Sequence, residues 1–305
     1  MIIYLDQNII SLIANKEISL STHNKNTFVY SNEHFNEISR SNNPKKYLEA
    51  LESINAKQII QQVDSDFNII DSFYLDLNNS AQENYAEHID TLLECNIDVS
   101  SFDYLVALLN HGKVTIEEVE AAQSISDQSL INHLESLGIK GKKEVILKAT
   151  GDAIKALKPY FSETQNIEKV RNDFDIPRGF MSNLNPESAL DNIWECIKHH
   201  YENTGINKNQ FYGFEPYPWQ SAKHNVTASI HGCCAILDII GYASESKCRN
   251  INKVPNIRSD AQHIAMATVC DVILSCDEKI ITRAQAIYSF LRKPVKTKLI
   301  SINKK

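Results

Sequence analysis

Glycine is scarce, with nine residues in a chain of 305. The chain also lacks any G-x-x-x-x-G-K-[ST], G-x-G-x-x-G or G-x-S-x-G sequence, which lowers the standing of nucleotide hydrolysis, dinucleotide chemistry and serine hydrolysis. Seven cysteines (Cys95, Cys196, Cys233, Cys234, Cys248, Cys270 and Cys276) form no C-x-x-C pair. An odd, scattered set suits a reducing compartment and buried small side chains better than a disulfide framework. No stretch approaches the roughly 18 apolar residues that span a bilayer, and Asp6 interrupts the N-terminus before a signal-peptide apolar region is complete. The expected location is therefore cytoplasmic, with no membrane partner. A basic excess is missing too: the net charge is -7, so the chain as a whole does not advertise a surface for long nucleic acid. No repeat or low-complexity tract interrupts it.

What is present is an alternation of strand and helix signals at both ends. Ile2-Ile3-Tyr4-Leu5 is an apolar run too short for a helix, and beyond Asp6 and Asn8 the residues Ile9, Ile10, Leu12 and Ile13 follow at near-helical spacing. Thr27-Phe28-Val29-Tyr30 repeats the strand pattern, and Ser31 is a good N-cap for a helix through Phe35 and Ile38. Near the other end, Ser259 and Gln262 form a capping-box pair opening a helix through Ile264 and Ala265, and the apolar run Val272-Ile273-Leu274 follows. A helix through Ile280, Ala284 and Ile287 leads to an alternating last strand, Lys298 to Ile302. Nearly continuous apolar strands between helices predict an α/β fold, a parallel sheet covered on both faces and shared by the two chain ends. The middle is mainly helical: Thr115 and Glu118 form a capping box, and Pro186 to Asn203 carries proline early and Gly205 just beyond its end.

In an open parallel sheet the ligand site lies beyond the carboxyl ends of the strands. Asp6 directly follows the first strand, Asp277 follows the Val272–Ser275 strand by two residues, Glu37 lies in the helix after the second strand, and Asp260 opens the helix before the Val272 strand. Four carboxylates converging on one edge repel one another, and a hard divalent cation with oxygen ligands relieves that repulsion. Mg2+ or Mn2+ is the natural occupant, and phosphodiester hydrolysis the expected chemistry.

The segments Tyr4-Leu5-Asp6-Gln7-Asn8, Tyr30 to Ile38, Arg258 to Ala265 and Cys270 to Asp277 resemble, in order, the successive motifs of PIN-domain proteins. That family is known for metal-dependent ribonucleases, including the toxins of bacterial toxin-antitoxin pairs, built on a parallel sheet flanked by helices. The resemblance implies Asp6, Glu37, Asp260 and Asp277 as metal ligands and catalytic residues, Asn8 as the polar support of the first aspartate, and RNA as substrate, with DNA as the alternative. It covers about the first 45 and last 50 residues. The α/β domain is expected to comprise residues 1–75 and 219–305, with 76–218 as a helical insertion that departs from the compact toxins and offers a surface for a regulatory protein or self-association.

Each residue also has a plainer role. Asp6, Asn8 and Asp277 suit helix caps, and Asp260 suits a helix first turn. Glu33, one turn before Glu37, competes with it for the site. His263, one turn after Asp260, is placed to orient a carboxylate or contact phosphate, although a lone helical histidine is more often structural, and His34 is read the same way. His224, His231, Cys233 and Cys234 match no zinc-ligand spacing. Lys45, Lys46, Lys140, Lys142, Lys143, Arg258, Lys296 and Lys298 are candidate phosphate contacts. Tyr212, Phe214, Tyr217 and Trp219 would either stack on bases or staple a loop. Two other functions compete: a haloacid-dehalogenase-like phosphatase, which would want a second aspartate where Asn8 stands, and a silent protein-binding module awaiting a partner.

Overall fold

The structure, a computed structural model, describes residues 1–21, 25–65, 69–95, 100–109, 114–163, 171–177, 179–217, 225–244 and 251–301; Trp219, His224, Cys248 and Ile302 lie outside them. Six strands, β1 (Ile2–Leu5), β2 (Thr27–Tyr30), β3 (Lys57–Val63), β4 (Ile69–Asp76), β5 (Val272–Ser275) and β6 (Lys296–Leu299), form one sheet in the order β4-β3-β2-β1-β5-β6. All neighbours are parallel except β3 and β4, which pair antiparallel. The expectation of a parallel sheet is corrected at this edge, because the connection from Val63 to Ile69 is too short for a crossover helix and closes as a hairpin. The last strand likewise begins at Lys296, two residues before the alternation suggested.

Alternation along the central strands sends side chains into two separate cores. Ile3, Leu5, Phe28, Tyr30, Val272 and Leu274 face one way, where α1 (Gln7–Ala14), α2 (Asn32–Ser39) and α3 (Pro44–Ser53) cover them. Tyr4, Val29 and Ile273 face the other way. This is why these strands read as unbroken apolar runs: both faces are dry, and each fully buried side chain contributes roughly 1.5–3 kcal/mol.

The chain then runs through α4 (Ala81–Cys95), α5 (Ser100–Leu109), α6 (Ile116–Ser136) and α7 (Lys143–Glu163). Thr115 caps α6 through the expected box with Glu118. The second core is covered by α8 (Ala189–Ile197), the short α9 (Lys208–Phe211), α10 (Val226–Ile240), α11 (Val254–Met266) and α12 (Glu278–Phe290). Leu190, Ile193, Phe211 and Tyr212 share that core with Tyr4 and Ile273, so part of the segment expected as an insertion is built into the sheet's own packing. Among the described residues, no helix is long and apolar enough to cross a membrane.

The helix containing Asp260 starts at Val254, with Pro255 in its first turn, and not at Ser259. Ser259 is buried inside it and donates back to the Pro255 carbonyl at 3.0 Å. Proline at the start of a helix costs no hydrogen bond, and it outcompetes the serine as the start signal. Asp260 therefore stands mid-helix, where dipole and capping explanations for a carboxylate no longer hold.

Candidate functional site

From β1 the sheet extends to β2 on one side and to β5 on the other, so the β1–β5 edge is a topological switch point, and the chain opens there at the strands' carboxyl ends. A cleft of about 630 Å³ lies at this edge, lined by Asp6, Asn8, Glu37, Asp260 and Asp277. All four candidate acids thus meet in one place, from the end of β1, from α2, from α11 and from the start of α12.

Asp6 is the most firmly held. One carboxylate oxygen caps α1 by accepting the Gln7 N–H at 2.7 Å, and the other accepts the Ser275 hydroxyl at 2.6 Å and the Asn8 amide. The Asn8 carbonyl in turn accepts the Cys276 N–H at 2.9 Å, so this one side chain laces the first strand's end to the fifth strand's end. Ser275, wholly buried, also accepts the Asp277 N–H at 2.9 Å and the Asn8 amide at 3.0 Å. Asp277 caps α12 by accepting Lys279 N–H at 2.7 Å and Ile280 N–H at 3.3 Å. Capping and cleft lining coexist at Asp6 and Asp277.

Glu37 reaches the cleft, and its carboxylate accepts the His263 Nε2–H at 2.9 Å. Glu33 is absent from the lining: one of its oxygens accepts the Ser259 hydroxyl and the other accepts Asn36 at 3.0 Å. His263 is fully buried, with Nε2 also 3.8 Å from Asp6, and Nδ1 2.8 Å from the Tyr4 hydroxyl, which touches Ser31 Oγ at 2.8 Å. His34 packs against His263 at 4.6 Å between ring centroids and donates Nε2–H to the Leu5 carbonyl at 2.6 Å. That leaves His34 Nδ1 to accept the Ser31 N–H at 3.0 Å, completing the α2 capping box. His34 is therefore structural, and His263 bridges two acids.

Burial opposes charge on His263, but the Glu37 and Asp6 carboxylates outweigh it and lift its pKa to about 9. Burial and the charge on His263 hold His34 well below the ordinary histidine range. Burial also raises Asp6, against the pull of His263 and the Ser275 hydroxyl. Asp260 is raised well above the ordinary carboxylate range by burial first and then by the charge of Asp6. Its carboxylate accepts no hydrogen bond from the described residues, and the charge of His263 only partly offsets the rise.

Four carboxylates are the donor chemistry that suits a hard divalent cation such as Mg2+ or Mn2+. The four do not close to within 4.8 Å of one another; among the described residues only Asp175, His199 and His200 bring three ligand atoms that near.

Arg40, Tyr47, Asn252, Lys253 and Asn256 complete the rim and escaped the sequence reading, because none falls in an acidic motif. None of the basic residues offered by the sequence as phosphate contacts lines the cleft. Lys45 pairs with Glu49 at 3.7 Å, Lys46 with Asn15, and Arg258 with Asp103 at 3.0 Å, pinning α5 to α11. His231 is bound to Gln262 at 2.7 Å, and Cys233 and Cys234 are buried in the second core. Tyr212 is buried with its hydroxyl on the Leu190 carbonyl at 2.8 Å, and Phe214 packs on Phe290, so both staple a loop. Ser275 and Tyr4 had a signal that went unused: a polar atom on an otherwise apolar central strand must find a buried partner. Comparison of the chain with known protein families, with curated proteins and with solved structures finds no match.

Proposed function

We propose that the protein is a metal-dependent nuclease of the PIN-like kind, with RNA as the preferred substrate. The observation that carries this reading is the convergence of Asp6, Glu37, Asp260 and Asp277, from four separate segments, on one cleft at the switch point of the sheet. These four would hold Mg2+ or Mn2+, whose chemistry is to activate water and neutralise charge on a phosphodiester.

The chain's own residues do the rest. Ser275, Asn8 and the Gln7 N–H hold Asp6 in a single orientation, and His263 does the same for Glu37. Arg40 and Lys253, both exposed at the rim, supply the positive charge that a phosphate backbone needs beside an acidic site. Tyr47 offers a half-buried ring for an unpaired base. Both Asp6 oxygens are engaged by neighbours, which disfavours the phosphatase reading with Asp6 as nucleophile.

The test is incubation of purified protein with labelled single-stranded RNA, structured RNA and DNA, under Mg2+, Mn2+ or chelator, beside Asp6→Asn and Asp277→Asn variants. Cleavage of RNA that disappears in chelator and in both variants is expected. Full activity in the variants would sink the proposed site; inactivity of every form would favour a silent, partner-binding protein.

A further inference from the structure

A second cluster of ligand-type side chains lies outside the acidic cleft. Asp175 Oδ2 is 3.6 Å from His199 Nε2 and 3.8 Å from His200 Nε2, and the three atoms lie within 4.8 Å of one another. Both separations exceed a hydrogen bond, yet both imidazoles aim the same nitrogen at the same oxygen. A tetrahedral zinc ion, bound at about 2.0–2.2 Å by nitrogen and carboxylate oxygen, sets its ligands roughly 3.4 Å apart, so the two sides that meet at Asp175 need to close by only a few tenths of an ångström, and the third, between the imidazoles, lies within 4.8 Å.

The scaffold around the triangle is fixed on both sides. His199 and His200 sit in the 3-10 turn Lys198–Tyr201, which continues α8, whose Ile193 and Ile197 are wholly buried. Asp175 sits in a turn closed by its own N–H on the Asn172 carbonyl at 2.9 Å and by the Ile176 N–H on the Arg171 carbonyl at 3.2 Å. Its φ of 52° is in the left-handed region, which aspartate tolerates better than most residues. Arg171 ties this turn to the end of α10 through the carbonyls of Ile239 at 3.2 Å and Asp238 at 3.3 Å. Between the two segments, Phe174 stacks on Tyr201 at 6.4 Å and meets His200 edge-on at 5.6 Å. The Phe174–Tyr201 stack joins the ligand-bearing turns without using any of the three ligands.

We propose that Asp175, His199 and His200 form a binding site for a borderline-soft transition metal of the Zn2+ class, with its fourth position open to solvent. Two imidazoles and one carboxylate are a donor set for zinc and its neighbours, whereas the all-oxygen cleft suits Mg2+ or Mn2+. The ion would staple the Asp175 turn to the end of α8. This site is independent of the nuclease proposal, because it shares no residue with the acidic cleft.

The test uses the untagged full chain, freed of metal by chelation and held in excess Mg2+ so that the acidic cleft is occupied. Zn2+ is titrated by calorimetry and Co2+ by its visible absorption, in the wild type, in Asp175→Asn and in His199→Gln/His200→Gln. These positions are exposed, and asparagine accepts the left-handed backbone, so circular dichroism should show all forms folded. The expected result is one Zn2+ bound by the wild type, weakened at least about tenfold in each variant, with a four-coordinate Co2+ spectrum that only the wild type gives. Equal Zn2+ binding by wild type and variants, or no binding by any form, would overturn the site, and the cluster would then be a pair of imidazoles beside a carboxylate.

Discussion

On the strand side of the cleft, Asp6 is held by a backbone N–H, a serine hydroxyl and an asparagine amide, with His263 3.8 Å away. On the helix side, Asp260 faces the same space with no hydrogen bond to its carboxylate among the described residues and with its pKa pushed well above the ordinary range. One wall is pre-organised and the other is frustrated. Fully tethered acids would need little from a cation, and wholly untethered ones would splay apart. A site with one of each holds its geometry while keeping an acid whose charged form a bound cation would stabilise.

Substitutions that remove the charge on either wall should separate function from stability. Asp6→Asn and Asp260→Asn are each expected to cut Mg2+- or Mn2+-dependent cleavage by at least about a hundredfold. Their stabilities should move in opposite directions. Asp6→Asn turns an NH2 group toward the Asn8 amide or the Ser275 hydroxyl and should cost about 1–3 kcal/mol, whereas Asp260→Asn relieves repulsion and should raise the melting temperature of the cation-free protein. Chemical and thermal unfolding in chelator would check this, and equal destabilisation by both would erase the contrast.

Ser275→Ala tests whether the tethering is what matters. It strips Asp6, Asn8 and the Asp277 N–H of a shared partner inside the protein, and should cost about 1–3 kcal/mol and lower kcat more than it raises KM. If cleavage is unchanged, the order on the strand side is incidental.

The dependence on pH follows from the shifts on both walls. The raised carboxyls of Asp6 and Asp260 stay protonated in the native protein where the unfolded chain has already lost those protons, so stability falls as pH rises above the usual carboxylate range. His263, raised to about 9, acts in the same direction, its contribution complete below the unfolded value near 6.5 and lost as pH climbs through 9. Melts between about pH 7 and 9, above the range where the depressed His34, His88 and His231 act in the opposite direction, should show this decline in chelator. Saturating Mg2+ should flatten it, since a bound cation takes the place of the protons. The decline should be shallower in Asp260→Asn.

The smallest expected effect separates the two glutamates of α2. Glu33→Gln should leave cleavage within about threefold of wild type, because its oxygens are spent on Ser259 and Asn36, whereas Glu37→Gln should reduce it far more. Comparable losses in a kinetic assay would mean that Glu33 reaches the cleft.

The sequence by itself determined the α/β class, the apolar central strands, the caps at Ser31, Thr115 and Asp277, and the set of acids that meet at the cleft. Each of these is written in local periodicity or in a single side chain's hydrogen bond to its own helix. Only the tertiary structure decided the rest. The antiparallel β4, the α8 packing beside Tyr4, the Ser275–Asn8 lacing, the choice of Glu37 over Glu33, and the meeting of Asp175 with His199 and His200 all depend on contacts between residues distant along the chain. The physical reason is that local spacing records which face a residue shares with its neighbours, while a buried polar atom's partner is chosen by whichever distant segment the packed core brings within reach.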